Sequence, residues 1–338
     1  MRLLRVWLTG EEMDSVAVET EKGFLPLLGL EGELAKAGVA GADDLWWSMP
    51  DVLAAGPEAW NRIREVCSRA NTGPDFSSEI ALLPVAPESF RDFMLFEKHA
   101  VQAARGFARK YFPGAYRVAA AYERLTGKVF PRFKPHALWY QRPLYYQGNH
   151  LAFVPDGHPV AFASYSQVLD YELELGAVIA KPLYNATPEE ALAAVGGFVI
   201  VNDFSARDVQ LKEMKSGFGP MKTKSFATSM SRVLVTADEI PDIEKLTARV
   251  LINGREVASG DFRGMHHSLG EAIAFASRDE RIHPGELLAT GTVPNCCALE
   301  NGHWVKPGDV LTLEIPPVGT LENPIVAAGQ APEYQWRC

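Results

Sequence analysis

Acidic residues recur in this sequence at positions where a folded chain would bury them. In DYELELGAVIA, residues 170–180, Glu172 and Glu174 interrupt an apolar run. In a strand these two side chains share one face while Tyr171 and Leu173 share the other. Neighbouring like charges repel, and in an interior each also loses its hydration, so a cation is required between them. Asp203 closes the apolar run FVIVND at a strand end, where side chains reach a site. Asp92, in SFRDFM, lies among aromatic and apolar residues. Two glutamates and one or two aspartates make an all-oxygen donor set, which suits a hard divalent ion such as Mg2+, Mn2+ or Ca2+ rather than zinc. The bland alternative for an isolated Glu-x-Glu is a solvated strand face; Asp203 and Asp92 weigh against it.

The elements that must position these acids follow from periodicity and punctuation. RLLRVWL and SVAVET read as strands, and DDLWWSMPDVLAAG and PEAWNRIREVCSRA as helical segments. The linker-like NTGPDFSS and the two prolines of ALLPVAPESF set a hand-over near Pro87. The expected division is a small N-terminal α+β domain, 1–86, and a catalytic domain, 87–338. Residues 96–112 place Val101, Ala104, Ala108 and Tyr111 on one helical stripe. Pro113 to His150 carries six basic residues, Arg117, Arg124, Lys128, Arg132, Lys134 and Arg142, against the single acid Glu123. Such a segment is either a basic flap over an anion site or a solvated excursion.

Thr187 and Glu190, and again Ser268 and Glu271, are spaced as capping boxes that open helices. GGFVIVNDF reads as a buried strand and VLTLEI as an alternating one. The fold class is mixed α+β, mainly β, with a few helices packed on the sheets.

Composition excludes several partners. Among 338 residues, 33 Lys plus Arg face 42 Asp plus Glu, a formal charge of -9 that disfavours nucleic acid and anionic membranes. Four cysteines without CxxC spacing favour a reducing cytoplasm over a disulfide framework. The N-terminal residues show no signal-peptide cleavage site, and no apolar segment approaches the roughly 18 residues that cross a bilayer. GFGPMK lacks the full glycine spacing of a phosphate loop. HHSLG has His266 where a nucleophile elbow needs glycine. His266 and His267 lack the spaced partners of a zinc site.

Taken together and in order, RDFMLFEKHA, DYELELGAVIA, VNDFSARDVQ, KTKSFATS and LLATGTV resemble the fumarylacetoacetate hydrolase family over residues 90–338. The resemblance implies that family's β-roll catalytic domain with a small N-terminal domain, a homodimer, and a divalent-metal enzyme acting on short anionic oxo acids. Activities in the family include cleavage of the carbon–carbon bond of a 1,3-diketo acid. Glu172, Glu174 and Asp203 match the metal carboxylates, and Asp92 a further ligand. His99 matches the water-activating histidine and Glu300 the glutamate that orients it. Arg207, Gln210, Lys224, Thr292 and Tyr146 match groups around the substrate; Asp208 reads as a salt-bridge partner of Arg207. Gln102 stands where the decarboxylase-like and acylpyruvate-cleaving branch has a glutamate, so the His99–Glu300 dyad must replace it or the activity differs; Met94 and Met214 stand where the fumarylacetoacetase branch has tyrosines, which argues against fumarylacetoacetate itself as substrate. Glycines in GFARKYFPG suggest hinges for a lid around His99. Decarboxylation or isomerisation of oxo acids uses the same metal-held enolate, and a catalytically silent binding protein would not need both His99 and Glu300.

Overall fold

The computed structural model describes residues 1–70, 73–77 and 80–334. Asn71, Thr72 and Ser78 of the linker-like stretch, and Cys338, lie outside the described residues. Strands β1 (Arg2–Leu8), β2 (Met13–Thr20) and β3 (Gly23–Pro26) are followed by helix α1 (Met49–Arg69). Gly56, at φ 79°, is not helical and parts α1 just before Pro57 into two helical segments, as expected here. Next come β4 (Phe90–Phe93), α2 (Glu97–Tyr111), α3 (Pro113–Thr126), β5 (Tyr145–Gly148), β6 (Leu173–Ile179) and β7 (Val195–Asn202). Helix α4 (Arg207–Lys215), β8 (Leu234–Thr236) and β9 (Leu287–Ala289) complete the frame of the site.

A twelve-stranded sheet runs along the path β3-β2-β1-β8-β7-β6-β9-β4-β5. A second sheet of five strands includes Thr247–Ile252, Val310–Ile315 and Gly319–Val326. The mixed α/β, sheet-dominated architecture expected from the patterning is therefore present. Strand alternation sorts the layers. Leu173, Leu175, Ala177 and Ile179 of β6 pack with Leu311, Leu313 and Leu321 of the second sheet. Val178 and Ala180 face the other way, into a core shared with Val52, Leu53 and Ile63 of α1. Covered on both faces, β6 and β7 are apolar almost throughout. Glu172 and Glu174 have the parity of Val178, opposite the inter-sheet core.

The chain on either side of Pro87 shares one sheet: Arg2 and Leu3 of β1 pair with Val235 and Leu234 of β8. Phe76–Ser77, inside the linker-like stretch, pairs with β1 as well. The basic segment from Pro113 is helical at its start. Pro113 occupies the first turn of α3 and Gly127, at φ 67°, ends it. All six of its basic residues are exposed and none lines the main cavity, so the solvated reading holds and the flap reading fails. No helix among the described residues is long and apolar enough to cross a membrane.

Candidate active site

Five neighbouring strands each deliver one polar residue to the same place. Asp92 lies on β4, opposite Tyr146 of β5 and Ala289 of β9. Glu174 lies on β6 opposite Val201 of β7, and Asp203 follows β7, its N–H donating to the Glu172 carbonyl at 3.1 Å. Thr292 stands just beyond β9. Gly291 makes that approach possible: at φ 81°, a Cβ there would fall 2.2 Å from the Phe93 carbonyl oxygen.

Asp92, Glu174 and Asp203 are buried, and each offers an atom within 4.8 Å of the others'. Each also keeps one buried oxygen (Asp92 Oδ1, Glu174 Oε2, Asp203 Oδ1) with no hydrogen-bond partner among the described residues. Orphaned carboxylate oxygens in a dry interior are costly, and three together fit the donor set of a hard divalent cation. Burial first, and then mutual repulsion, pushes Asp92 and Glu174 well above the ordinary carboxylate range. Glu172 goes the other way. Burial would raise it, but the charges of Arg207 and Lys224 hold it below that range.

Glu172 differs from the other three acids in its contacts, because both its oxygens are engaged. Arg207 Nη2 donates to one at 2.5 Å, and the Lys224 ammonium sits between the other and Asp203. The cation demanded by paired glutamates is thus supplied in part by the chain itself. Tyr146 donates its hydroxyl to Asp203 at 2.6 Å, and Thr292 donates to Glu174 at 3.3 Å.

Arg207 also donates from Nε to Asp170 at 2.7 Å and from Nη1 to the Gln210 oxygen at 3.1 Å. The expected Arg207–Asp208 bridge does not form; Asp208 instead accepts from the Ser166 hydroxyl and the Gln167 N–H. Asp170 is fully buried and accepts from the N–H groups of Ala298 and Leu299, at the start of the short helix Ala298–Asn301. It escaped the sequence reading although its spacing from Glu172 repeats that between Glu172 and Glu174.

That short helix carries Glu300. Its Oε1 lies 2.6 Å from His99 Nδ1, and its Oε2 accepts the Asn295 N–H at 2.9 Å. Cys297, which its sequence context assigns no role in the site, donates to Glu300 Oε1 at 3.5 Å; burial, and then Glu300, keeps its thiol protonated. Gly106 in α2 packs against this helix so closely that a Cβ would lie 1.8 Å from the Leu299 carbonyl oxygen. Arg109 adds a bond to the Glu300 carbonyl. Gly106 is therefore an anchoring contact and not the hinge expected of it: it allows the close approach that holds His99 against Glu300.

A cavity of about 760 Å3 opens over these groups. Asp92, His99, Tyr146, Glu172, Glu174, Arg207, Gln210, Lys224 and Thr292 line it. Asp203 and Glu300 stand behind the wall, bonded to Tyr146 and Lys224 and to His99 respectively. Every site residue expected from the sequence meets here. His266 and His267 do not; their ring nitrogens lie 3.2 and 3.0 Å from the carbonyls of Tyr140 and Trp139.

The model for the fumarylacetoacetate (FAA) hydrolase C-terminal region matches residues 115–326. The chain belongs to the fumarylacetoacetate hydrolase family. Asp92 and His99 fall ahead of the matched segment. A mitochondrial oxaloacetate tautomerase of Xenopus laevis is 32% identical over 189 residues, 55% of this chain and 59% of the relative. The chain spans less than two thirds of the length of the curated relatives it matches first. A fumarylacetoacetate hydrolase from Exiguobacterium antarcticum superposes with a TM-score of 0.65 at 20% identity, over 97% of this chain and 99% of that one. A fumarylpyruvate hydrolase from Pseudomonas aeruginosa, in complex with Mn2+ and pyruvate, gives 0.55 at 19%, over 77% and 100%. At these identities the two structures establish the shared fold of this family member.

Proposed function

We propose that this family member is a divalent-metal-dependent hydrolase that breaks a carbon–carbon bond in a short 1,3-diketo acid of the acylpyruvate kind. One observation carries the reading: a buried His99–Glu300 pair opens on a cavity floored by carboxylates that keep orphaned oxygens. Asp92, Glu174 and Asp203, together with Glu172, would hold Mg2+, or alternatively Mn2+ or Ca2+. When bound, such an ion supplies the positive charge that takes up the electron pair of the departing enolate. The relative from Pseudomonas aeruginosa holds Mn2+ and pyruvate, the three-carbon fragment common to all acylpyruvates.

The chain's own groups do the rest. With Nδ1 held by Glu300, His99 keeps its proton there and presents Nε2 as base toward a water in the cavity. Glu300, fixed by Asn295, stabilises the imidazolium that results. Lys224 donates to the oxyanion of the tetrahedral adduct, a contribution of about 3 to 4 kcal/mol for one such donor. Gln210 gives its carbonyl to Arg207, which turns its amide N–H groups to the same task. Arg207, committed to Asp170 and Glu172, positions these carboxylates and leaves the substrate to others.

The tautomerase relative, with a bifunctional isomerase/decarboxylase of Escherichia coli, favours a second reading, proton transfer or decarboxylation of an oxo acid by the same base. Incubation with Mg2+ or Mn2+ and a panel of acylpyruvates and oxaloacetate decides between them. Pyruvate and a carboxylic acid in equal amounts support hydrolysis; carbon dioxide without acid, or keto–enol exchange alone, overturns it. We assign the protein to a reducing cytoplasm, on its free buried cysteines Cys67, Cys296 and Cys297. A homodimer follows from the family resemblance, and a monomer in sedimentation would remove it.

A further inference from the structure

We infer that the group attached to the oxo-acid head of the substrate is an apolar acyl chain of several carbons, alkyl or aryl, and not a second carboxylate. The inference rests on the function proposed above and names the other half of the molecule.

Two helices lead away from the charged floor, and both turn apolar. On α2, His99 is followed on the cavity wall by Ala103, Ala104 and Phe107. These positions repeat at helical spacing on one face, and Phe107 lies roughly 12 Å along the axis from His99. On α4, Arg207 is followed by Leu211 and Met214, the latter roughly 10 Å along. Met94 and Leu144 line the cavity as well.

Among the described residues, the only basic side chains on the lining are His99, Arg207 and Lys224. Glu300 holds the first, and buried carboxylates engage the other two. A distal carboxylate would lose hydration there without meeting a free positive group. An apolar chain would gain from the same transfer. The cavity, at about 760 Å3, is far larger than a three-carbon head needs. Its rim is unusually greasy for exposed surface. Met94, Met214 and Phe218 remain 41%, 51% and 85% accessible, so a chain laid against them buries apolar area on both partners. Phe218 stands between Gly217 and Gly219, at φ 86° and 79°, a turn that presents its ring at the cavity mouth. Met94 and Met214 are also two of the departures from the family pattern seen in the sequence.

The experiment uses the full chain with Mn2+ and measures binding apart from turnover. Straight-chain 2-oxo acids from pyruvate to 2-oxooctanoate, with phenylpyruvate, are titrated by calorimetry against oxaloacetate and 2-oxoglutarate. Affinity should climb about fourfold per added methylene over the first few, and the dicarboxylates should bind no better than pyruvate. Values of kcat/KM for acylpyruvates of rising chain length should follow the same ladder. Dicarboxylates binding as well as or better than the long-chain acids would overturn the inference and leave the hydrolase reading standing. A binding ladder without any turnover would keep the inference and remove that reading, and no binding by any oxo acid would remove both. As a variant, Met214→Arg places a cation on the rim at an exposed helical position that tolerates it. It should weaken 2-oxooctanoate and strengthen 2-oxoglutarate, each several-fold; unchanged selectivity would count against an apolar wall on α4.

Discussion

Arg91 and Asp92 are adjacent on β4 and point to opposite faces of one strand, yet they belong to two kinds of polar cluster. Arg91, buried, is bonded to Glu286 and Glu280, and Glu286 also accepts from the Ser89 hydroxyl and the His283 N–H at 2.7 Å. Neither Arg91 nor Glu286 leaves a buried polar atom unpaired among the described residues. Across the strand, Asp92, Glu174 and Asp203 each keep an unpaired oxygen and repel one another. The first cluster closes its own hydrogen-bond account and has nothing left to offer a ligand. The second does not. Burial and charge are common to both; incomplete satisfaction separates a site from a staple.

Substitutions can break that contrast. Glu174→Ala should abolish activity, by a thousandfold or more in kcat/KM, together with Mg2+ affinity, while the metal-free protein keeps its melting temperature. A large loss of melting temperature in chelator would place Glu174 with the staples. Arg91→Ala should do the reverse, costing about 3 to 5 kcal/mol in denaturant unfolding by stranding Glu286, with kcat of the folded fraction unchanged. His99→Ala should cut turnover about a hundredfold and leave metal affinity intact by calorimetry; unchanged turnover would remove His99 from the mechanism.

Smaller effects sharpen the comparison. Mg2+ or Mn2+ at a hundred times its dissociation constant should stabilise the fold by about 2.7 kcal/mol. In chelator, the raised Asp92 and Glu174 bind protons more tightly in the folded state than in the unfolded one. Their stabilising contribution is then full below the ordinary carboxylate range and is lost as pH rises through their elevated values. Saturating metal should flatten that slope, and a metal-independent slope would contradict the assignment of these acids as its ligands.

The chemistry was legible in sequence where it followed a short period. Glu172 and Glu174 announce a shared face, and Asp203 announces a strand end. Asp170 obeys the same period and follows Val168 and Leu169, but it lies at the start of the run, ahead of the Glu-x-Glu pair that drew the reading. Cys297 was read for its spacing to other cysteines, although its neighbour of consequence is Glu300. The pairing of β1 with β8 joins residues more than two hundred positions apart and leaves no local trace. Helix α3 had its signals in Pro113 and Gly127; its basic and aromatic composition obscured them. Gly106 shows the remaining limit, since a helical glycine can mean a hinge or a tight crossing and only the neighbouring backbone decides.

Asp170 joins the two ends of the apparatus. Through one carboxylate it holds the turn that carries Glu300, and through Arg207 it holds Glu172. Drift at this single position would disturb water activation and ion capture at once. A lineage adapting to a new acyl donor is therefore freer to remodel the outer walls than to retune either half of the centre alone.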